Sequence, residues 1–175
     1  GEIYLEGEKV DISNSIVAKQ LGIGMVHQEL NVVTELSIAE NIFLGREPLT
    51  KLGTINHKQL YEDSKRFLEK QNLTYNPRMK MKEMSVGEQQ MIEIIKTVYF
   101  SSKIVIMDEP TSSLSEAEVK KLFNKIRELK ESGSTILYIS HRLEELDEIC
   151  DYLTVMRDGC FIKTAKVGEI TRNEI

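Results

Sequence analysis

Ile104-Val105-Ile106-Met107-Asp108-Glu109-Pro110 decides how the rest of the chain is read. Four apolar residues without alternation predict a short strand buried on both faces, the kind found in parallel sheets covered by helices. Asp108 and Glu109 then stand at the strand's C-terminal mouth, where ligands bind in open α/β sheets. Carboxylates there can hold magnesium and orient a water molecule. The plainer reading is a strand running out into a polar turn closed by Pro110, and these seven residues alone leave both open.

Toward the C-terminus, Ser115 and Glu118 form a capping box for a helix with an apolar face of Val119, Leu122, Phe123, Ile126 and Leu129, and Gly133 supplies its stop. Residues 135–139 read as a second buried strand ending at Ser140-His141. A short helix with Leu143, Leu146 and Ile149 follows. Residues 152–156 and 161–164 flank Asp158-Gly159, a strong hairpin signal.

Toward the N-terminus, Ser85 opens a helix carrying Met91, Ile92, Ile94 and Ile95. Between His57 and Asn72, Leu60, Ser64, Phe67 and Leu68 recur at helical spacing. The Ser37-Ile38-Ala39-Glu40 capping box starts a helix through Phe43 and Leu44, with Gly45 as its stop. Residues 21–26 read as a strand ending at His27-Gln28-Glu29, and residues 1–5 and 10–12 as a hairpin around a turn at 6–9.

Strands alternating with helices predict an α/β layer structure with a mostly parallel sheet, antiparallel hairpins, and a helical insertion between Ser37 and Tyr99. The expected division is an N-terminal β part (1–36), a helical subdomain (37–99) and a C-terminal part (100–175). The chain opens inside a strand and closes at Thr171-Arg172-Asn173-Glu174-Ile175, where a capping-box signal announces a new helix, so both ends read as truncated.

The 175 residues carry a formal net charge of −5 and are 41% hydrophobic. An acidic balance argues against a nucleic-acid surface. The lysines between 51 and 82 are interleaved with acids and read as a solvated helix face. Cys150 and Cys160 have neither disulfide-framework nor zinc spacing. No run approaches the ~18 apolar residues of a membrane span.

Four positions invite chemistry, and each has a plain alternative. Ser85-Val86-Gly87-Glu88 is a capping box, or a helix start whose hydroxyl, close-approach glycine and free N–H groups bind a phosphate. His141 at a strand end is a structural histidine or a catalytic one. Gln28 is a surface amide or a ligand. Asp108-Glu109 is the fourth. Each stands at the end of a strand or the start of a helix, and that shared placement favours the chemical reading.

Four segments carry a resemblance. MVHQELNVVTELSIAENIFLG (25–45) resembles the Q-loop segment of ABC ATPases, MSVGEQQMIEIIK (84–96) their signature motif, IVIMDEPTSSLS (104–115) the Walker B strand and D-loop, and ISHRLEELDEICDYLTVMRDG (139–159) the switch-histidine segment. Valine after the signature serine is similar to the first of two tandem ATPase domains in importers of ribose, galactose and other simple sugars. The resemblance implies a P-loop NTPase (RecA-like) fold and an ATPase using ATP and Mg²⁺. Asp108 would hold magnesium, mostly through water, and Gln28 would sense that metal and the transport domain. Glu109 would polarise the attacking water, and His141 would contact the γ-phosphate. Ser85, Val86, Gly87 and Glu88 would cover ATP bound to an opposing domain, and Ser112, Ser113 and Leu114 would form the D-loop linking the two sites. Implied partners are transmembrane permease subunits, a second ATPase domain and, indirectly, a periplasmic sugar-binding protein, with the subunit on the cytoplasmic face of the cell membrane. No nucleic acid is expected. The family's GxxxxGK[ST] phosphate loop does not occur in these 175 residues, so the chain by itself is expected to be inactive. One alternative is a non-catalytic piece that docks the permease. A soluble ABC ATPase of another pathway is the remaining alternative.

Overall fold

Residues 1–100 and 103–169 are described by a computed structural model of the chain. Ile3–Leu5 (β1) and Glu8–Val10 (β2) form the N-terminal antiparallel hairpin, with Ile3 opposite Val10 and Leu5 opposite Glu8. Its turn is Glu6-Gly7, with φ of 54° and 86°. Two residues of positive φ suit the right-handed twist of the flanking strands, so the second strand starts two residues before the predicted Val10. Ser15–Gln20 (α1), capped by the Asn14 side chain on the amides of Ile16 and Val17, was not predicted. It has no buried residue, hence no apolar stripe to betray it.

Ile23–Val26 (β3) leads through a loop to Ile38–Ile42 (α2). The predicted capping box is present: Glu40 accepts from the Ser37 amide (2.8 Å), and the Ser37 hydroxyl accepts from the Glu40 amide (3.2 Å). The helix closes at Phe43, before Gly45, which takes φ 73° in the loop beyond. His57–Lys70 (α3) buries Leu60, Ser64, Phe67 and Leu68, the predicted face. A 3₁₀ turn at Met81–Glu83 precedes Val86–Phe100 (α4). Ile38 N–H donates to Met79 O (2.9 Å) and Met81 N–H to Leu36 O (3.0 Å), which fastens α2 to the segment before α4.

Ile104–Asp108 (β4), Glu116–Glu131 (α5), Thr135–Ile139 (β5) and Leu143–Ile149 (α6) follow. The chain then enters the hairpin Tyr152–Arg157 (β6) and Cys160–Lys166 (β7), which turns at Asp158-Gly159 as predicted. The capping-box signal at Thr171–Glu174 lies outside the described residues.

β3, β4 and β5 lie side by side in that order, all parallel. The core sits on one face of this sheet, where Val26, Val105 and Met107 meet Ile92, Ile94 and Ile95 of α4 and Leu122, Phe123 and Ile126 of α5. Burial on both faces, expected for β4 and β5, does not hold. Val105 and Met107 are buried, but Leu137 is 53% and Ile139 45% exposed. The apolar runs are there, and among the described residues nothing covers the second face of β5. Also among the described residues, no helix is long and apolar enough to cross a membrane.

Candidate functional site

Parallel register aligns the strand ends. Val26 stands beside Met107, Met107 beside Tyr138 and Asp108 beside Ile139, so the loops after all three strands leave the sheet at one level. Gln28, Glu109 and His141, two, one and two residues beyond those strands, therefore share one edge. Glu109 is the hub. Its amide donates to Ile139 O (2.9 Å), and its carboxylate meets His141 Nδ1 at 3.0 Å through Oε1 and the Gln28 amide nitrogen at 3.4 Å through Oε2. Its φ of 44° is left-handed, which turns the side chain out of strand alternation toward both partners. His141 is mostly exposed, its side chain at 73%, while that of Glu109 is at 29%, so the imidazole faces solvent over a sheltered carboxylate.

Asp108 ends β4 on the open face of the sheet, beside Ile139. Among the described residues, no group of three or more His, Cys, Asp or Glu side chains makes a closed metal site. Mg²⁺ does not need one. It is held by one or two carboxylates plus substrate phosphates and water, and the hard oxygen donors of Asp108 and Gln28 fit that pattern.

The signature-like segment stands apart. Ser85 and Glu88 form the capping box of α4: Glu88 Oε2 accepts from the Ser85 amide (2.8 Å) and hydroxyl (2.9 Å), and the Glu88 amide donates to Ser85 Oγ (3.3 Å). The Tyr75 hydroxyl donates to Glu88 Oε1 (3.0 Å). The hydrogen bonds from Ser85 and then Tyr75 hold the Glu88 carboxyl below its ordinary value. Burial and the Glu88 carboxylate push the Tyr75 phenol up to about 12. Val86 is exposed, and Gly87 is buried where a Cβ would fall 2.6 Å from Glu118 Oε1 of α5. Among the described residues, no hydrogen bond joins this segment to Gln28, Glu109 or His141. Ser113 lies exposed in the turn after β4.

Sequence reasoning missed Glu145. Only 7% exposed, its carboxylate accepts from Thr111 Oγ1 (2.8 and 3.0 Å), Tyr138 OH (2.8 Å), Ser140 Oγ (3.2 Å) and Arg142 Nη1 (3.0 Å). Burial pushes this carboxyl up, but the bonds from Thr111, Tyr138, Arg142 and Ser140 outweigh it and leave the group below its ordinary value. The Tyr138 phenol is pushed well up by burial and by Glu145. The helical pattern assigns Glu145 to a charged face, and its partner Thr111 lies 34 residues away, where spacing gives no sign of it.

The family model described as ABC transporter matches residues 1–112. The chain belongs to the ABC transporter family. Within that family, the ribose import ATP-binding protein RbsA of Caldanaerobacter subterraneus subsp. tengcongensis is 45% identical over 175 residues, 100% of this chain and 35% of that protein. The chain thus spans about a third of the length of the curated relatives it matches. Among solved structures, a nucleotide-free ATP-binding cassette from an ABC transporter shares the fold with a TM-score of 0.77 at 24% identity, covering 95% of this chain and 70% of that one. An ABC transporter cassette in its ADP conformation superposes with a TM-score of 0.76 at 25% identity, covering 94% of this chain and 68% of that one. The P-loop NTPase architecture of ABC ATPases read from the sequence is the observed one, with its parallel sheet, helices and antiparallel hairpins.

Proposed function

We propose that this chain is part of the ATP-hydrolysing subunit of an ABC importer for simple sugars, and that Gln28, Asp108, Glu109 and His141 form its half of a hydrolytic site. The observation that carries the reading is the convergence of Gln28 and His141 on the Glu109 carboxylate at the mouth of three adjacent parallel strands. The import of ribose by a relative of 45% identity supports the sugar class.

Phosphoryl transfer to water depends on positioning and charge neutralisation more than on covalent help. Asp108 and Gln28 would hold Mg²⁺, which would supply neutralisation of the phosphate oxygens. Glu109 orients the attacking water and accepts its proton at Oε2, where the 3.4 Å contact to Gln28 is the weaker of its two. His141, with Nδ1 on Glu109, has Nε2 for a γ-phosphate oxygen, and it donates from both nitrogens only as imidazolium. Ser85, Val86, Gly87 and Glu88 are assigned to ATP on an opposing ATPase domain, with Ser112, Ser113 and Leu114 linking the two sites. In this scheme residues 37–99 are the helical subdomain that docks the permease, 1–36 and 100–175 form the nucleotide-facing part, and the subunit works on the cytoplasmic face of the membrane with a periplasmic sugar-binding protein upstream.

The test is ATP turnover by the complete subunit and its Glu109→Gln variant. Loss of a general base is expected to lower the rate by about 10²–10⁴-fold, and an unchanged rate would remove Glu109 from the mechanism. The 175-residue chain, without a GxxxxGK[ST] loop to cradle the phosphates, is expected to show no Mg²⁺-dependent turnover by itself.

A further inference from the structure

We infer that Glu145 is a positioning residue that holds the loops after β4 and β5 in one geometry, so that Glu109 and His141 stay in contact and the following D-loop keeps its place. This rests on the roles given above to Glu109 and His141. Thr111 lies two residues after Glu109, and Ser140 immediately precedes His141. Both give their hydroxyls to the same buried carboxylate. Ser140 Oγ in turn accepts from the Arg142 amide (3.0 Å), so the stem of His141 is held from both sides. Apart from Glu109 itself, which reaches across with its amide and carboxylate, Glu145 is the group that ties both stems to a third element, α6.

A buried carboxylate is a poor way to gain stability, because desolvation offsets much of what its partners return. Its directional contacts instead fix the two loops relative to each other, and hydrolysis depends on that spacing to fractions of an ångström. Tyr138 adds its hydroxyl to the same carboxylate from within β5 and interacts with Thr111 as well, so it belongs to the same network.

The experiment compares steady-state ATP hydrolysis by the complete subunit with Glu145→Gln, Thr111→Val and Thr111→Ser variants. Glu145→Gln and Thr111→Val are expected to lower kcat on the order of 10–10²-fold, with KM for ATP within about twofold because ground-state binding is untouched. Thr111→Ser, which keeps the hydroxyl, is expected to keep kcat near wild type. The double variant of Glu145→Gln with Thr111→Val should be no slower than the worse single one. Glu145→Gln with a lowered melting temperature and an unchanged kcat would overturn the inference, leaving Glu145 a purely structural group. A wild-type subunit without ATPase activity would sink the proposed function instead. Backbone amide exchange on the complete subunit then decides the inference separately. Faster exchange confined to residues 109–114 and 140–142 in Glu145→Gln supports it, and exchange identical to wild type there refutes it.

Discussion

At Glu109 three constraints meet: a left-handed backbone, an amide committed to Ile139, and a carboxylate shared by Gln28 and His141. A non-glycine residue in this region costs about 1–2 kcal/mol, so the strand stores strain where the chemistry is proposed. Glu109→Gly is expected to relieve that strain at an entropic cost of about 0.5–1 kcal/mol. The melting midpoint should therefore stay level or rise slightly while turnover by the complete subunit is abolished. A clear fall in the midpoint in thermal denaturation would mean that the Gln28 and His141 contacts outweigh the strain. Gly87 is constrained from outside. An added Cβ meets the Glu118 carboxylate, which is the reciprocal half of the Ser115 capping box on α5. Gly87→Ala should thus displace a cap worth about 0.5–2 kcal/mol. In a Glu118→Ala background the same change should be neutral or stabilising, since only the helix preference of alanine remains. Urea denaturation of the four proteins of this cycle measures the coupling. The sequence offered Gly87 as a phosphate-approach glycine, and the close packing of α5 is a second, independent reason for glycine there.

Among the elements, α2 shows how a short helix is held. Its five residues are too few to be stable alone. The capping box at Ser37 and Glu40 and the buried Asn41 side chain, bonded to Val33 N (2.8 Å) and Val33 O (2.9 Å), tie it to the preceding loop. The side-chain and backbone hydrogen bonds from Ser37 hold the Glu40 carboxyl below its ordinary value. A depressed folded-state pKa means stability that is fully present above the unfolded value and lost as pH falls through the folded one. The chain is therefore expected to keep its stability from neutral pH down to about 4.3, the unperturbed glutamate value, and to lose it below. Ser37→Ala should cost about 0.5–2 kcal/mol at neutral pH and make the acid limb shallower, as measured by denaturant unfolding from pH 7 to 3. Capping boxes at Ser37, Ser85 and Ser115 were all legible beforehand, because each depends on residues three apart. α1 was not, since its only signal was an Asn14 cap without an apolar face behind it.

For the molecule as a whole, the main feature is a parallel sheet that, among the described residues, packs its core on one face and leaves the other partly open. Ile23, Met25, Ile104 and Ile106 of the other face line part of a cleft of about 810 Å³ at the β3 edge, which α1 and α4 also border, and Leu137 and Ile139 are exposed on the same face at β5. An apolar surface beside a free strand edge is an association hazard. The 175-residue chain is expected to self-associate with rising concentration in sedimentation velocity. Leu137→Lys, on the uncovered face, is expected to reduce that association without lowering the melting temperature. Unchanged association would point to another surface.

The sequence by itself determined the class of the elements other than α1 and the 3₁₀ turn, the parallel α/β layering, the hairpin turn at Asp158-Gly159 and the four segments whose order resembles an ABC ATPase. These depend on local periodicity, capping and turn chemistry, which act over a few residues. Only the tertiary structure decided that Glu109 bonds Gln28 and His141 across 81 and 32 residues of chain, and that Glu145 is buried among the hydroxyls of Thr111, Tyr138 and Ser140. It also decided that, among the described residues, the apolar run of β5 keeps Leu137 and Ile139 exposed. Strand register and the packing of distant segments set those contacts, and neither leaves a mark in the spacing of neighbouring residues.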